Sequence, residues 1–473
     1  MFDENERVIL SVIVFVYFIL LILLALYINR KTKTYEDYNV AGRTVSFFPL
    51  ILTFIGTGVG GSTLLGYMEN GYSLGMGQQW IHITMFMCVI IFALFVLNRV
   101  RSLGETYKMV TIGDYTALRY GEKTRIPTVI SILFSYCAMT GMQFVAIATI
   151  LNVTLDLDVT LGIIIGWVLL TLKTYFGGLK TVIWQDTFHG IILVLGVVLL
   201  FASVLIAAGG WGSIADRAAS AGEGDMLSVM NITPGEIMIY LLTLAVFQFV
   251  RQDLWQRVWA ADSIKIAGSG YIISMIVAVT IGAVAVAIGV LSRYGLELGN
   301  IDPVLVYYGV VGEVFPFPLV VFMIVLLLAA VISSADSFLL AGSSSLVNDI
   351  IRPNFSHHGD KMMLLWSRLS VLIISVIALV LALTIPGIVN LMVTGTAMTV
   401  SGLFAPVILG MFWKKVTTAA GLASMWSGLI IAVLWQIAGH PFGLHPIFIG
   451  LPVSVIILLA VTFITNGKET AKA

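Results

Sequence analysis

Charged residues are scarce in this chain of 473 residues. Asp, Glu, Lys and Arg make up 11% of it, whereas soluble globular proteins carry about 25%. Hydrophobic residues make up 59%, and the mean hydropathy is +1.02. This composition excludes an ordinary soluble domain and a disordered chain. The 25 basic and 25 acidic residues cancel, so no basic excess indicates a nucleic acid partner.

Cysteine and histidine are also scarce. Cys88 and Cys137 each lie within a long apolar run, and no CxxC or Cys/His cluster indicates zinc, haem or an iron–sulfur cluster. The six histidines are spread over separate segments, and neither HExxH nor GxSxG occurs. A membrane enzyme needs a nucleophile–base pair or a set of metal ligands. We therefore predict no enzymatic activity.

Long hydrophobic runs dominate instead. A bilayer core requires about 20 mostly apolar residues per helix. Thirteen such runs occur, at about 8–28, 45–70, 77–98, 126–153, 159–175, 182–208, 235–258, 267–291, 317–346, 362–384, 387–411, 418–438 and 446–465. The first run lacks a basic n-region, which favours a retained helix over a signal peptide. We predict an all-α polytopic membrane protein with about 13 transmembrane helices.

The distribution of basic residues predicts the orientation. Thirteen crossings put the termini on opposite sides of the membrane. With the N-terminus outside, 21 of the 25 basic residues fall in inner segments, as the positive-inside rule requires. Arg7, Arg217 and Arg293 fall outside, and Lys173 lies near an inner end. We expect a multi-pass protein of the cell membrane with its N-terminus outside and its C-terminus cytoplasmic.

The second run contains too many glycines for a regular membrane helix. Gly56, Gly58, Gly60 and Gly61 cluster near its middle, within FIGTGVGGSTLLGYMENGYSLG. Unwound backbone at bilayer depth persists only where it is buried in protein or lines a cavity, and its carbonyls are then available as ligands. The alternative is close helix packing through small residues.

The ninth run carries an acid and several hydroxyls, in LLLAAVISSADSFLLAGSSS. On a helix Ala330, Ser333, Ser334 and Ser337 share one face, and Asp336 lies at its edge. A carboxylate at the centre of a membrane helix costs about 2.5–3.5 kcal/mol on insertion scales, so it indicates function. Carboxylate and hydroxyl oxygens suit a hard cation. Helix packing through Ser and Ala is the alternative.

Charged residues interrupt two further runs. Asp186, in VIWQDTFHG, is either functional, or an interfacial cap or a partner for Lys180. In FQFVRQDLWQRVWAADS, Arg251 either forms a structural ion pair with Asp253 or contacts an anion. We expect Arg257 at the inner surface.

These segments resemble the sodium:solute symporter family, which includes sodium/glucose, proline, pantothenate, sialic acid and choline transporters. The resemblance covers nearly the whole chain. It is carried by AAVISSADS at 329–337, GGLKTVIWQD at 177–186, QDLWQR at 252–257 and the glycine-rich second run followed by GYSLG at 71–75. A weaker match is FWKKVTTAAGLASMWSG at 412–428, where the family usually has Gly-Ala and this chain has Ala420-Gly421.

The resemblance implies the leucine-transporter-type fold, in which an extra N-terminal helix precedes two five-helix inverted repeats. The helix would be 8–28, the first repeat 45–208, the second repeat 235–411 and the C-terminal helices 418–465. Together they would form one membrane transport domain, residues 1–473. Binding near the bilayer midplane at broken helices is the general design of such transporters.

The resemblance also implies where cations bind. A sodium site would consist of the carbonyls of Gly56, Val59 and Ala330 and the hydroxyls of Ser333 and Ser334. A candidate second cation site would use Asp186, Asp336 and Ser337. There Asp336 replaces a serine of the family pattern, which either strengthens a cation site or makes it proton-linked.

The implied function is sodium-coupled symport of a small organic solute by alternating access, with Na⁺ as the coupling ion. Thr63, Gln78, Gln79, His82 and Arg251 match positions near the solute in relatives. Sugar-binding relatives have an amide at the Arg251 position, and a guanidinium there favours a carboxylate on the solute. The alternatives are a proton-coupled carrier, or a transport-homologous sensor or channel. The expected partners are a small-molecule solute, sodium ions and the lipid bilayer, without nucleic acid.

Overall fold

A computed structural model describes residues 3–29, 34–296, 298–354, 359–385 and 387–465 of the chain. Within these ranges 12 helices are long and apolar enough to cross a membrane, and a bent helix pair makes up to 13. The prediction of about 13 transmembrane helices in an all-α chain is therefore confirmed. Some of the basic residues used to predict the orientation lie outside the described ranges, namely Arg30, Lys31, Lys33, Lys468 and Lys472.

The helices follow the predicted hydrophobic runs closely. The unbent spans are Glu4–Tyr27, Met76–Tyr107, Glu122–Leu155, Val159–Gly177, Leu179–Ala207, Pro234–Ala260, Ile264–Tyr294, Phe317–Asn354, Lys361–Thr384, Ile388–Phe412, Thr418–Ile437 and Ile447–Thr465. Shorter helices between them are Tyr35–Val40, Ile112–Tyr120, Trp211–Ser220 and Val306–Val314.

The second predicted helix is broken in the middle. Its halves, Phe47–Gly58 and Ser62–Leu74, meet at an angle of 54° and are called here the broken helix. Val59, between the halves, has extended backbone with φ −116° and ψ 96°. The break falls within the predicted glycine cluster, because several glycines in succession disfavour continuous helix.

A second interruption lies in the span Pro234–Ala260. Arg251 has extended backbone, φ −75° and ψ 110°, and a new helix, Gln252–Ala260, begins directly after it. The sequence analysis predicts continuous helix at this point. An isolated parallel bridge joins Val45, just before the broken helix, to Ala261, just after the end of this span. The bridge therefore fixes the two interrupted spans to each other.

The helix Phe317–Leu346, called here the serine helix, runs through the centre of the molecule. Every residue from Leu326 to Ser345 is buried. It packs against the broken helix and against the spans Glu122–Leu155 and Leu179–Ala207. Its few polar side chains therefore lie inside protein rather than in lipid.

Candidate functional site

The serine helix meets the break of the broken helix through oxygen atoms. The Ser334 hydroxyl lies 3.2 Å from the carbonyl oxygen of Gly56 and 3.1 Å from that of Thr57. These carbonyls belong to the last turn before the break, where a helix leaves its carbonyls without intrahelical partners. Backbone and hydroxyl oxygens of two helices therefore converge at one buried point.

Glycine allows the two helices to approach this closely. A Cβ added at Gly60 would lie 2.5 Å from the Ser334 hydroxyl oxygen. A Cβ added at Gly56 would lie 2.5 Å from the Ser333 hydroxyl oxygen. From sequence, the break and the close helix packing are alternative interpretations of the glycine cluster. Both are present in the structure.

Asp186 lies beside this point and is fully buried. Its carboxylate accepts hydrogen bonds from the hydroxyls of Ser333 and Thr53, the latter at 2.5 Å. Arg257 is its nearest charged partner, with Nη2 3.7 Å from Oδ2. Asp186 does not pair with Lys180, whose ammonium lies 3.9 Å from Asp37 instead. The carboxylate therefore belongs to the polar centre of the protein rather than to its surface.

Arg257 is deeply buried, so the expectation that it lies at the inner surface is wrong. Its guanidinium donates to the hydroxyls of Ser337 at 2.6 Å and Thr53 at 3.2 Å. Ser337 also shares a hydrogen bond of 2.8 Å with Thr57. Arg257 can be buried because three polar side chains, Ser337, Thr53 and Asp186, compensate for its lost hydration.

Asp336 has different partners from the other two residues of the candidate second cation site. Its carboxylate contacts the Lys173 ammonium and accepts a hydrogen bond of 2.6 Å from Thr174. Asp186 and Ser337 both face Arg257 instead. Asp186 and Ser337 thus share the Arg257 guanidinium, whereas Asp336 pairs with the Lys173 ammonium.

A cavity of about 50 Å³ adjoins the break. Its lining includes Thr57, Gly60, Gln143, Arg251 and Ser334. The Gln143 side-chain oxygen accepts a hydrogen bond of 3.0 Å from the Gly61 N–H. Its amide nitrogen is buried and has no hydrogen-bond partner. Gln143 is not among the site residues predicted from sequence. A polar amide inside the apolar run 126–153 could have indicated it.

Arg251 lies at the second interruption and reaches the cavity. Its guanidinium forms an ion pair of 2.6 Å with Asp253 and a hydrogen bond of 3.2 Å with Gln248. The other carboxylate oxygen of Asp253 accepts a hydrogen bond from Tyr136. Arg251 therefore forms the ion pair with Asp253 and also lines the cavity.

The remaining predicted solute residues do not line this cavity. Thr63 lies in the first turn after the break, with its hydroxyl 3.5 Å from the Gly58 carbonyl oxygen. Gln78 accepts hydrogen bonds from Tyr240 and Asn70, and Gln79 donates to the Ala283 carbonyl at 2.8 Å. His82 is buried against the Tyr67 ring, and neither of its ring nitrogens has a hydrogen-bond partner.

The sequence matches a known family and its members. The profile of the Sodium:solute symporter family matches residues 38–428. The chain is 27% identical to the high-affinity proline transporter PutP of Bacillus subtilis (strain 168), across 95% of this chain and 97% of that protein. It is also 27% identical to a sodium/proline symporter of Staphylococcus aureus, across 96% of this chain and 92% of the other.

The fold is similar to that of solved transporters. The structure of a Na⁺-coupled sialic acid symporter matches with a TM-score of 0.80 and 20% identity, across 98% of each chain. Mhp1, a nucleobase-cation-symport-1 family transporter, matches with a TM-score of 0.61 and 16% identity, across 92% of this chain and 95% of the other. These similarities confirm the predicted leucine-transporter-type fold.

Proposed function

Because the chain belongs to the sodium:solute symporter family and so couples the movement of a small organic solute to sodium, we propose that its coupling ion binds between the broken helix and the serine helix. The observation that carries this proposal is the position of the Ser334 hydroxyl beside the carbonyls of Gly56 and Thr57. Carbonyl and hydroxyl oxygens are the ligands that hard cations prefer. These donors therefore fit Na⁺.

The proposed sodium site also includes Ser333, Val59 and Ala330. Ser333 lies one residue before Ser334 and forms a hydrogen bond with Asp186, so an acidic group adjoins the site. Val59 lies at the break, where its backbone is extended, and contributes its carbonyl. Ala330 lies one turn before Ser334 and contributes its carbonyl, as the family resemblance implies. The acid would favour a cation over a water molecule at this point.

Sodium bound here would couple to the solute through the relative position of the two helices. In our assignment the broken helix opens the first repeat, 45–208, and the serine helix belongs to the second, 235–411. Residues 8–28 and 418–465 flank the repeats. If sodium stabilises the arrangement of the repeats that binds solute, sodium raises the affinity for the solute. By reciprocity, bound solute then raises the affinity for sodium by the same factor. The membrane potential contributes a further driving force for inward transport of sodium, about 2.3 kcal/mol per charge per 100 mV.

We propose that the solute is of amino-acid size and carries a carboxylate, with proline as the first candidate. Two relatives are named as proline transporters. Arg251 and Gln143 both line the cavity, and the amide nitrogen of Gln143 has no hydrogen-bond partner. A guanidinium and an amide N–H are both donors that suit a carboxylate. We propose that Thr63, Gln78, Gln79 and His82 contact the solute in another conformation of the transport cycle, in which the cavity is wider.

The proposal places the protein in the cell membrane, with its N-terminus outside and its C-terminus cytoplasmic. Its partners are sodium ions, the solute and lipid, and we assign it no enzymatic activity. The competing functions are a proton-coupled carrier and a sensor or channel of the same fold. Counterflow of labelled proline in liposomes distinguishes a carrier from a channel or sensor. Only a carrier accumulates labelled proline against its gradient in exchange for unlabelled proline on the other side.

A thermal-shift screen of the purified chain tests the proposal. Amino acids, sugars, carboxylates and vitamins are each added in sodium chloride or in choline chloride. A ligand that binds only the folded protein raises its melting temperature. We expect an amino-acid-sized carboxylate to raise it in sodium and not in choline. Equal stabilisation in both salts would contradict sodium coupling, and stabilisation in choline that grows with acidity would favour the proton-coupled carrier.

A further inference from the structure

A buried charge pair in the membrane-spanning part of the described chain joins Lys173 to Asp336. The Lys173 side chain is 3% exposed and the Asp336 side chain 2% exposed, and their charged atoms are in direct contact. Lys173 lies in the span Val159–Gly177, and Asp336 lies on the serine helix. Two helices are thus joined by one buried ion pair.

Both oxygens of the Asp336 carboxylate have partners on the same neighbouring helix. Thr174 donates to one oxygen at 2.6 Å, and the Lys173 ammonium contacts the other. The Thr174 hydroxyl is itself 2.8 Å from the Leu170 carbonyl oxygen, so its position is fixed. Each oxygen of the carboxylate therefore has a hydrogen-bond donor, and one of the two donors is an ammonium group.

The other two residues of the candidate second cation site are likewise provided with a fixed cation. Ser337 accepts a hydrogen bond from Arg257 at 2.6 Å, and Asp186 lies 3.7 Å from the same guanidinium. An alkali ion placed near Ser337 would therefore face a positive charge at hydrogen-bond distance. Like charges so close inside a protein repel strongly, because the interior screens them little.

We propose that the Lys173 ammonium takes the position of a second alkali ion at Asp336, so that this chain binds a single sodium ion. The inference rests on the proposed function, because it presumes that the one sodium ion binds at Ser334. A lysine ammonium has the same charge as Na⁺ and offers three donors to oxygen ligands. Being covalently attached, it is neither released nor transported, and it holds the two helices together throughout the cycle.

Counting bound sodium tests the inference without knowledge of the solute. Binding of ²²Na⁺ to the purified full chain is measured at saturating concentration. We expect one ion per chain for the native protein. Lys173→Met leaves Asp336 without a cation, and we expect this variant to bind two ions. Two ions on the native protein, or one ion on a correctly folded Lys173→Met variant, would overturn the inference.

Three control variants complete the experiment. Lys173→Arg keeps the fixed charge, and the double variant Lys173→Met/Asp336→Asn removes both charges, so each should bind one ion. Ser334→Ala should need about tenfold more sodium to reach the same occupancy of the one site, while the Lys173–Asp336 pair is unchanged. No sodium binding by the native chain contradicts the proposed function itself, whereas two ions contradict only the inference. If Lys173→Met cannot be purified, the count for the native chain decides.

Discussion

The hydroxyl oxygen of Ser334 lies 3.2 Å from the carbonyl oxygen of Gly56, although the two residues are 278 positions apart. One is on the serine helix and the other is in the last turn before the break. The contact depends on the missing side chains of the glycine cluster, because a Cβ at Gly60 would occupy the space of the Ser334 hydroxyl. The break and the serine therefore meet at one buried point, where we propose the sodium site.

Removing the Ser334 hydroxyl should weaken sodium binding. Loss of one buried polar partner costs about 1–3 kcal/mol. Since each 1.4 kcal/mol is a factor of ten, Ser334→Ala should raise the sodium concentration for half-maximal uptake about tenfold. The double variant Ser333→Ala/Ser334→Ala should raise it further. Sodium titration of labelled proline uptake in proteoliposomes measures both.

Ser343→Ala is the matched control on the same helix. Its hydroxyl donates to the Ser367 carbonyl at 2.7 Å, away from the break, so the sodium dependence should stay that of the native protein. An unchanged sodium dependence in Ser334→Ala would count against the assigned site.

The break in the broken helix is predictable from sequence, and the interruption at Arg251 is not. Gly56 to Gly61 have a local composition that disfavours helix regardless of the surroundings. Arg251 has no glycine or proline beside it. Its ion-pair partner Asp253 is held in turn by the hydroxyl of Tyr136, which lies 117 positions earlier in the sequence. Such an interruption depends on tertiary contacts that a local pattern does not contain.

The polar pairs show the same division. The serines at 333, 334 and 337 and the acid at 336 are visible as a helical face. The partner of Asp336 is Lys173, 163 positions earlier, and no periodicity connects them. Arg257 looks like a residue of the membrane surface because a lone arginine usually lies there, but Ser337, Thr53 and Asp186 make a buried position possible.

Adding a side chain at Gly60 should impair transport. Gly60→Ala introduces a Cβ 2.5 Å from the Ser334 hydroxyl oxygen and 2.8 Å from its Cβ, so the two helices must separate. Overpacking of this kind costs about 1–3 kcal/mol. We expect sodium-dependent uptake to fall at least about tenfold. At Gly177 a new Cβ would meet nothing closer than 3.7 Å, so Gly177→Ala should transport normally. Equal uptake by both variants would contradict a role for the close approach.

The two roles of Arg251 can be separated by a pair of variants. Arg251→Gln leaves the buried Asp253 carboxylate without its partner, and breaking a buried ion pair costs about 3–5 kcal/mol. The double variant Arg251→Gln/Asp253→Asn removes both charges and should regain most of the lost melting temperature. If the guanidinium binds the solute carboxylate, uptake of an anionic or zwitterionic solute stays abolished in both variants. Recovery of uptake in the double variant would mean that Arg251 is structural alone.

Gln143 offers a sharper test of solute recognition, because its two ends have different partners. Gln143→Glu keeps an acceptor for the Gly61 N–H but replaces the unpartnered amide nitrogen with a carboxylate oxygen. That oxygen repels a solute carboxylate, so the concentration of proline for half-maximal uptake should rise at least about tenfold. Gln143→Leu also removes the acceptor for the Gly61 N–H, so the break loses a hydrogen bond. This variant should therefore also raise the sodium concentration for half-maximal uptake. Unchanged proline affinity in Gln143→Glu would exclude this amide from the solute site.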